Sequence, residues 1–129
     1  MTSKILIVVC SLIAVQLVPT SSNGEELTNR DSAIQYLADS VGAECKQEDV
    51  VKLKISKEKC DQRLRDSVVR CKSIAATDLP AMLSQVELGR AILRFSLCRG
   101  MLMQAATFDL KIWEPTITKM LEEAHQSEN

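Results

Sequence analysis

The sequence predicts an all-α fold, a disulfide-stapled bundle of four or five helices. Two observations carry this. Apolar residues recur at spacings of three and four along most of the chain from Asn29 to Ala124, the period of one helix face. Four cysteines lie beyond an apolar N-terminal run, an even number suited to cross-linking a small domain. Composition agrees: 129 residues, 46% hydrophobic and 26% charged, fit one compact domain and not a disordered chain.

The N-terminus reads as a targeting segment. Lys4 precedes an apolar stretch from Ile5 to Val18, broken only by Ser11 and Gln16; Pro19 and the small residues Thr20, Ser21 and Ser22 follow. A charged start, an apolar run of roughly 14 residues and a small-residue exit are the parts of a secretory signal peptide, and the run is short of the ~20 residues that span a bilayer. Residues 1–22 are therefore expected to be removed after Ser22, with Gly24 as the second choice. Residues 23–129 are expected to form a single helical domain with no membrane span, secreted and extracellular.

Asn29 is placed to cap a first helix starting near Asp31, with Ile34, Leu37, Ala38, Val41 and Cys45 along one face. Residues 46–55 alternate partially and read as a connector. Ser56 caps the next helix, in which Cys60, Leu64, Val68, Cys71 and Ala75 repeat at helical spacing. Asp61 with Arg65, and Asp66 with Arg70, are expected as i,i+4 pairs on its opposite side. Asp78 is expected to cap a third helix with Pro80 in its first turn. Met82, Leu83, Val86, Leu93, Leu97 and Met101 continue the stripe, and from Ala91 to Ile112 the chain is apolar on most sides, as suits the centre of a bundle. Gly89 and Gly100 mark either breaks in this helix or close contacts. Pro115 is expected to end or kink it, before a last helix carrying Ile117, Met120, Leu121 and Ala124.

The gaps between Cys45, Cys60, Cys71 and Cys98 are 14, 10 and 26 residues. Zinc sites use closer ligand pairs and usually His, so two disulfides are expected. Cys60 and Cys71 lie about 16 Å apart along one helix, too far for a bridge. Two connectivities remain, 45–71 with 60–98 and 45–60 with 71–98. A third helix folding back continuously on the second favours the former, which is the first expectation; a break at Gly89 favours the latter.

Charge is nearly balanced, 16 Lys and Arg against 17 Asp and Glu, and only four residues are aromatic. That argues against a polybasic nucleic-acid binder or a base-stacking platform. Removing Lys4 leaves 15 basic residues against 17 acidic, a net charge of −2. The balance is uneven: residues 46–72 carry nine basic against five acidic residues, a segment suited to an acidic partner surface.

No catalytic constellation is legible. The single His125 stands near the C-terminus without a nucleophile motif, the glycines are scattered, and all four cysteines beyond residue 22 are expected to be paired. The chain is therefore expected to be a non-enzyme that uses no cofactor or metal. Candidate anchors for a protein partner are Arg63, Arg70, Arg90, Arg94 and Trp113, of residue types enriched at interface hot spots. A cavity lined by Met82, Met101, Met103, Met120, Phe95, Phe108 and Trp113 would instead make the chain a carrier of a small hydrophobic ligand. A cytokine-like helical signal is a third reading.

The cysteine gaps do not match the C-x3-C pair of odorant-binding proteins or the C-x2-C pair of chemosensory proteins. In its signal peptide, its helical chain of this size, its four cysteines and its apolar stretch Phe95–Trp113 leading into Glu114-Pro115-Thr116, the sequence resembles the mosquito salivary anophensin/albicin family over most of residues 25–126. The resemblance implies a salivary inhibitor of a host defence cascade that binds a host plasma protein complex. The alternative-pathway convertase of complement is the first expectation, and the contact system the second.

Overall fold

The computed structural model describes residues 26–127, so the expected signal peptide and its cleavage site lie outside the described residues. Those residues are 75% helical, with five helices, two disulfides and only a pair of two-residue strands. The order is β1 (Thr28–Asn29), α1 (Arg30–Val41), α2 (Gln47–Leu53), α3 (Lys57–Ala76), β2 (Met82–Leu83), α4 (Gln85–Met103) and α5 (Leu110–Ser127).

Several boundaries follow the sequence. Asn29 caps α1 by accepting from the Ser32 N–H, and Ser56 caps α3 by accepting from the Lys59 N–H. Others depart from it. Gly42, at φ +82°, ends α1 before Cys45, which is buried in the linker to α2 and not on the helix face. Residues 47–53 form a short helix where a connector was expected, with Glu48 and Asp49 favourably placed in its first turn.

Asp78 does not cap a helix. It adopts φ +58°, the left-handed conformation that an Asp tolerates, just past the end of α3. Pro80 biases Leu79 away from helical geometry. The chain then runs extended until β2 pairs antiparallel with β1. The third long helix starts at Gln85, under a complete capping box in which the Ser84 side chain accepts from the Glu87 N–H and the Glu87 carboxylate from the Ser84 N–H. Arg30 fastens the extended segment to α1: its N–H donates to the Ala81 carbonyl and its Nη1 to the Leu79 carbonyl, both at 2.8 Å.

This delayed start decides the disulfides. The extended segment delays α4, so that Cys71, well inside α3, faces Cys98, while Arg63 meets the carbonyl of Met103 at the end of α4. Cys60 thus lies beyond the reach of Cys98. The bridges are Cys45–Cys60 and Cys71–Cys98, with Cα–Cα distances of 6.0 and 5.7 Å. The 45–71 and 60–98 pairing, expected from an early fold-back, is excluded. Gly89 plays no part in this, because α4 runs unbroken through both Gly89 and Gly100. At Gly89 the helix instead comes close to α5: a Cβ there would stand 3.0 Å from Leu121 Cδ2.

Pro115 neither ends α4 nor separates two helices. The helix α4 stops at Met103, and Ala105 turns the chain at φ +60°. Asp109 then starts α5, its side chain accepting from the Lys111 N–H, and Pro115 lies inside that helix. It withholds one N–H from the ladder.

Two apolar clusters fill the bundle. The larger joins Ile34, Ala38, Cys71, Ala75, Leu83, Ala91, Phe95, Cys98 and Phe108. The smaller joins Cys45, Cys60 and Leu64, flanked by Val50, Leu53 and Ile55 from the α2 region. Each disulfide therefore sits within an apolar cluster. Ile117 is fully buried, whereas Met82, Val86 and Met120, expected on inward stripes, are exposed.

Peptide mapping without reduction should recover the 45–60 and 71–98 pairs. Replacing Cys71 and Cys98 together by Ser should cost about 3.5 kcal/mol from the 27-residue separation alone, against about 3 kcal/mol for the 15-residue pair, as read by denaturant unfolding. Gly100 is exposed, with open space where a Cβ would go. Gly100→Ala should therefore stabilise the chain by about 0.5–1 kcal/mol in the same measurement.

Candidate partner-binding surface

The five candidate anchors fall into two groups. Arg90, Arg94 and Trp113 belong to the junction of α4 with α5. Arg63 and Arg70 lie on the outer side of α3.

At the junction, Arg90 and Arg94 are one helical turn apart on α4 and converge on Glu114 of α5. Arg94 holds the carboxylate in a fork, Nε to Oε2 at 3.1 Å and Nη2 to Oε1 at 2.9 Å. Arg90 Nη1 donates to the same Oε1 and, at 3.0 Å, to Thr118 Oγ1. The remaining Nη1 of Arg94 donates to the Thr77 carbonyl at 2.7 Å and reaches that of Ala75 at 3.4 Å, filling acceptors left open at the end of α3. One guanidinium thus ties three helices together. Arg94 is only 5% exposed, so it belongs to the interior and presents no charge to a partner. Trp113 is half-buried and stacks on Phe108, with centroids 6.3 Å apart and planes 11° from parallel.

Burial by itself would raise the pKa of Glu114. The hydrogen bonds from Arg94 and Arg90, with their charges, outweigh it and hold the carboxyl below the usual range. A second carboxylate does comparable work at the smaller cluster. Asp61 Oδ2 receives Lys57 Nζ at 2.8 Å, and Oδ1 accepts the Cys45 N–H at 2.7 Å, fixing the linker beside the Cys45–Cys60 bridge. The Lys57 hydrogen bond first, and the Cys45 N–H second, hold Asp61 below the usual range. The expected Asp61–Arg65 and Asp66–Arg70 contacts are replaced: Arg65 donates to Gln62 Oε1, and Gln62 Nε2 donates to Asp66.

Arg63 and Arg70 line an open groove of about 380 Å³ with Lys59, Gln62, Asp66, Ser67 and Leu102. Arg63 Nη1 donates to the Met103 carbonyl at 3.0 Å, which seats the guanidinium at the end of α4. Arg70 is exposed, and neither it nor the Lys59 amine has a side-chain partner among the described residues.

The role of Glu114 is not legible in the sequence because Arg94 lies 20 residues away; for Asp61 the i,i+4 contact with Lys57 is local, and only its hold on the Cys45 N–H, 16 residues away, is not. Lys59 was within reach, one turn before Arg63 on the same face. The residues proposed to line a ligand cavity gather only in part: Phe95 and Phe108 lie in the larger apolar cluster with Met101 and Trp113 packed against it, Met103 packs against the smaller cluster, and Met82 and Met120 are exposed. Among the described residues no group of His, Cys, Asp and Glu is arranged to hold a metal ion, and no helix is long and apolar enough to cross a membrane. His125 is exposed in the last turn of α5. Comparison with family models, with curated proteins and with solved structures finds no match.

The Glu114 cluster gives the fold an acid dependence of definite sign. Its carboxyl titrates lower in the folded chain than in the unfolded one, so its contribution is complete above the unfolded carboxylate value of about 4.3 and is lost as pH falls through the folded value. Thermal melts at neutral pH and near pH 3 should show a smaller acid-induced drop in Tm for Glu114→Gln than for the parent chain.

Proposed function

We propose that the chain is a secreted, non-catalytic inhibitor of a host defence cascade, with the alternative-pathway convertase of complement as its first target and the contact system as the second. It acts by seating a rigid helical surface on a host plasma protein complex. The observation that carries this reading is the uneven use of its basic side chains. Arg90 and Arg94 are consumed inside the bundle by Glu114, whereas Arg63, Arg70 and Lys59 share one open groove. Two disulfides brace the helices behind that groove, so little order has to be gained on binding. The resemblance to the anophensin/albicin family supplies the choice of cascade.

The test is haemolysis in serum through the alternative pathway, run with the purified, oxidised chain lacking residues 1–22, beside classical-pathway and contact-activation assays. Selective loss of alternative-pathway lysis at sub-micromolar protein is the expected outcome. No effect in any of the three assays would overturn the reading. Native mass spectrometry for a co-purified lipid would then test the carrier alternative.

A further inference from the structure

We propose that the groove between α3 and the C-terminal turns of α4 docks an acidic segment of a partner protein. Lys59, Arg63 and Arg70 receive its carboxylates, and an apolar side chain of the segment rests on Leu102. The proposal rests on the protein-binding reading above but not on which cascade is bound.

Charge complementarity selects the occupant. The other cations of α3 are held elsewhere: Lys57 is paired with Asp61 and reaches Glu44, while Lys72 and Arg65 keep their charge but are tied to the amides of Gln35 and Gln62. The cations of the groove are not engaged in this way. The Lys59 amine and the Arg70 guanidinium have no side-chain partner among the described residues, and Arg63 spends one N–H on the Met103 carbonyl. That bond also orients Arg63, which leaves its other donors available in a fixed place. From Lys59 to Arg70 the stripe is roughly 16 Å long, the reach of about five extended residues.

The middle of the stripe tells a protein segment from a sulfated polysaccharide. Asp66 lines the same groove between Arg63 and Arg70, and only the Gln62 amide is bonded to it. A polymer of uniform negative charge meets repulsion there. A protein segment can place a lysine or an amide opposite Asp66 and keep its carboxylates for the flanking cations.

The experiment is an NMR titration of the isotope-labelled, disulfide-intact chain. Three probes are used: the synthetic peptide Glu-Glu-Leu-Lys-Leu-Glu-Glu, its twin with every Glu replaced by Gln, and a short heparin oligosaccharide. The expected result is that the acidic peptide moves the amide signals of residues 59–70 and 99–103, more weakly as salt is raised, while the Gln twin does not. The double variant Lys59→Gln/Arg70→Gln removes no intramolecular bond, so its melting curve should match the parent's while its affinity for the acidic peptide falls about five- to tenfold. Three results would overturn the proposal: no shifts with the acidic peptide at millimolar concentration, equal shifts with the Gln twin, or tighter binding of heparin at the same residues. The titration contains no cascade component. A failed groove with intact haemolysis inhibition condemns only the docking site, and the reverse condemns only the choice of cascade.

Discussion

The register of α4 on α3 is the constraint from which the rest of the molecule follows. It is pinned at three levels: Arg94 on the carbonyls of Ala75 and Thr77, Cys71 bonded to Cys98, and Arg63 on the carbonyl of Met103. In this register the first turns of α4 are free to receive α5, through Gly89 against Leu121 and through Arg90 and Arg94 on Glu114. The other end of α3 is left to a separate clamp, in which Cys45–Cys60 and the Asp61 carboxylate hold the α1–α2 linker. A covalent bond and charged hydrogen bonds act at both ends, which suits a small domain whose core alone supplies limited stability.

The same register divides the arginines by task. An arginine level with the end of α3 is drawn inward, because open helix carbonyls and a carboxylate from α5 together offset the cost of burying its charge. An arginine on the outer side of α3, opposite the last turn of α4, gives one N–H to a carbonyl and stays half-exposed beside an open groove. Arg94 and Arg63 have the same chemistry, and their positions along this helix pair give one a structural part and the other a surface part.

How much was legible varies with the range of the interaction. The caps at Asn29 and Ser56 follow from one side chain and a backbone N–H three residues on, and both stand where the sequence places them. The capping box Ser84–Glu87 was equally local, and it competed with Asp78 and Pro80 for the start of the same helix. The outcome depended on whether residues 79–83 had something to pair with. They do, in β1 and Arg30, some fifty residues earlier in the chain. The basic excess of residues 46–72 was legible as a count. Its concentration beside Leu102 was not, because which of these cations border one groove depends on how α4 lies against α3.

Sequence alone determined the helical class, the amphipathic faces of α1 and α3, and the presence of two disulfides, since periodicity, capping and an even cysteine count act within a few turns of chain. Tertiary structure decided which cysteines pair, where α4 begins and which arginines remain at the surface. These depend on how far one helix is displaced along another, a quantity set by packing and by bonds between residues distant in sequence, for which no local pattern stands as a sign.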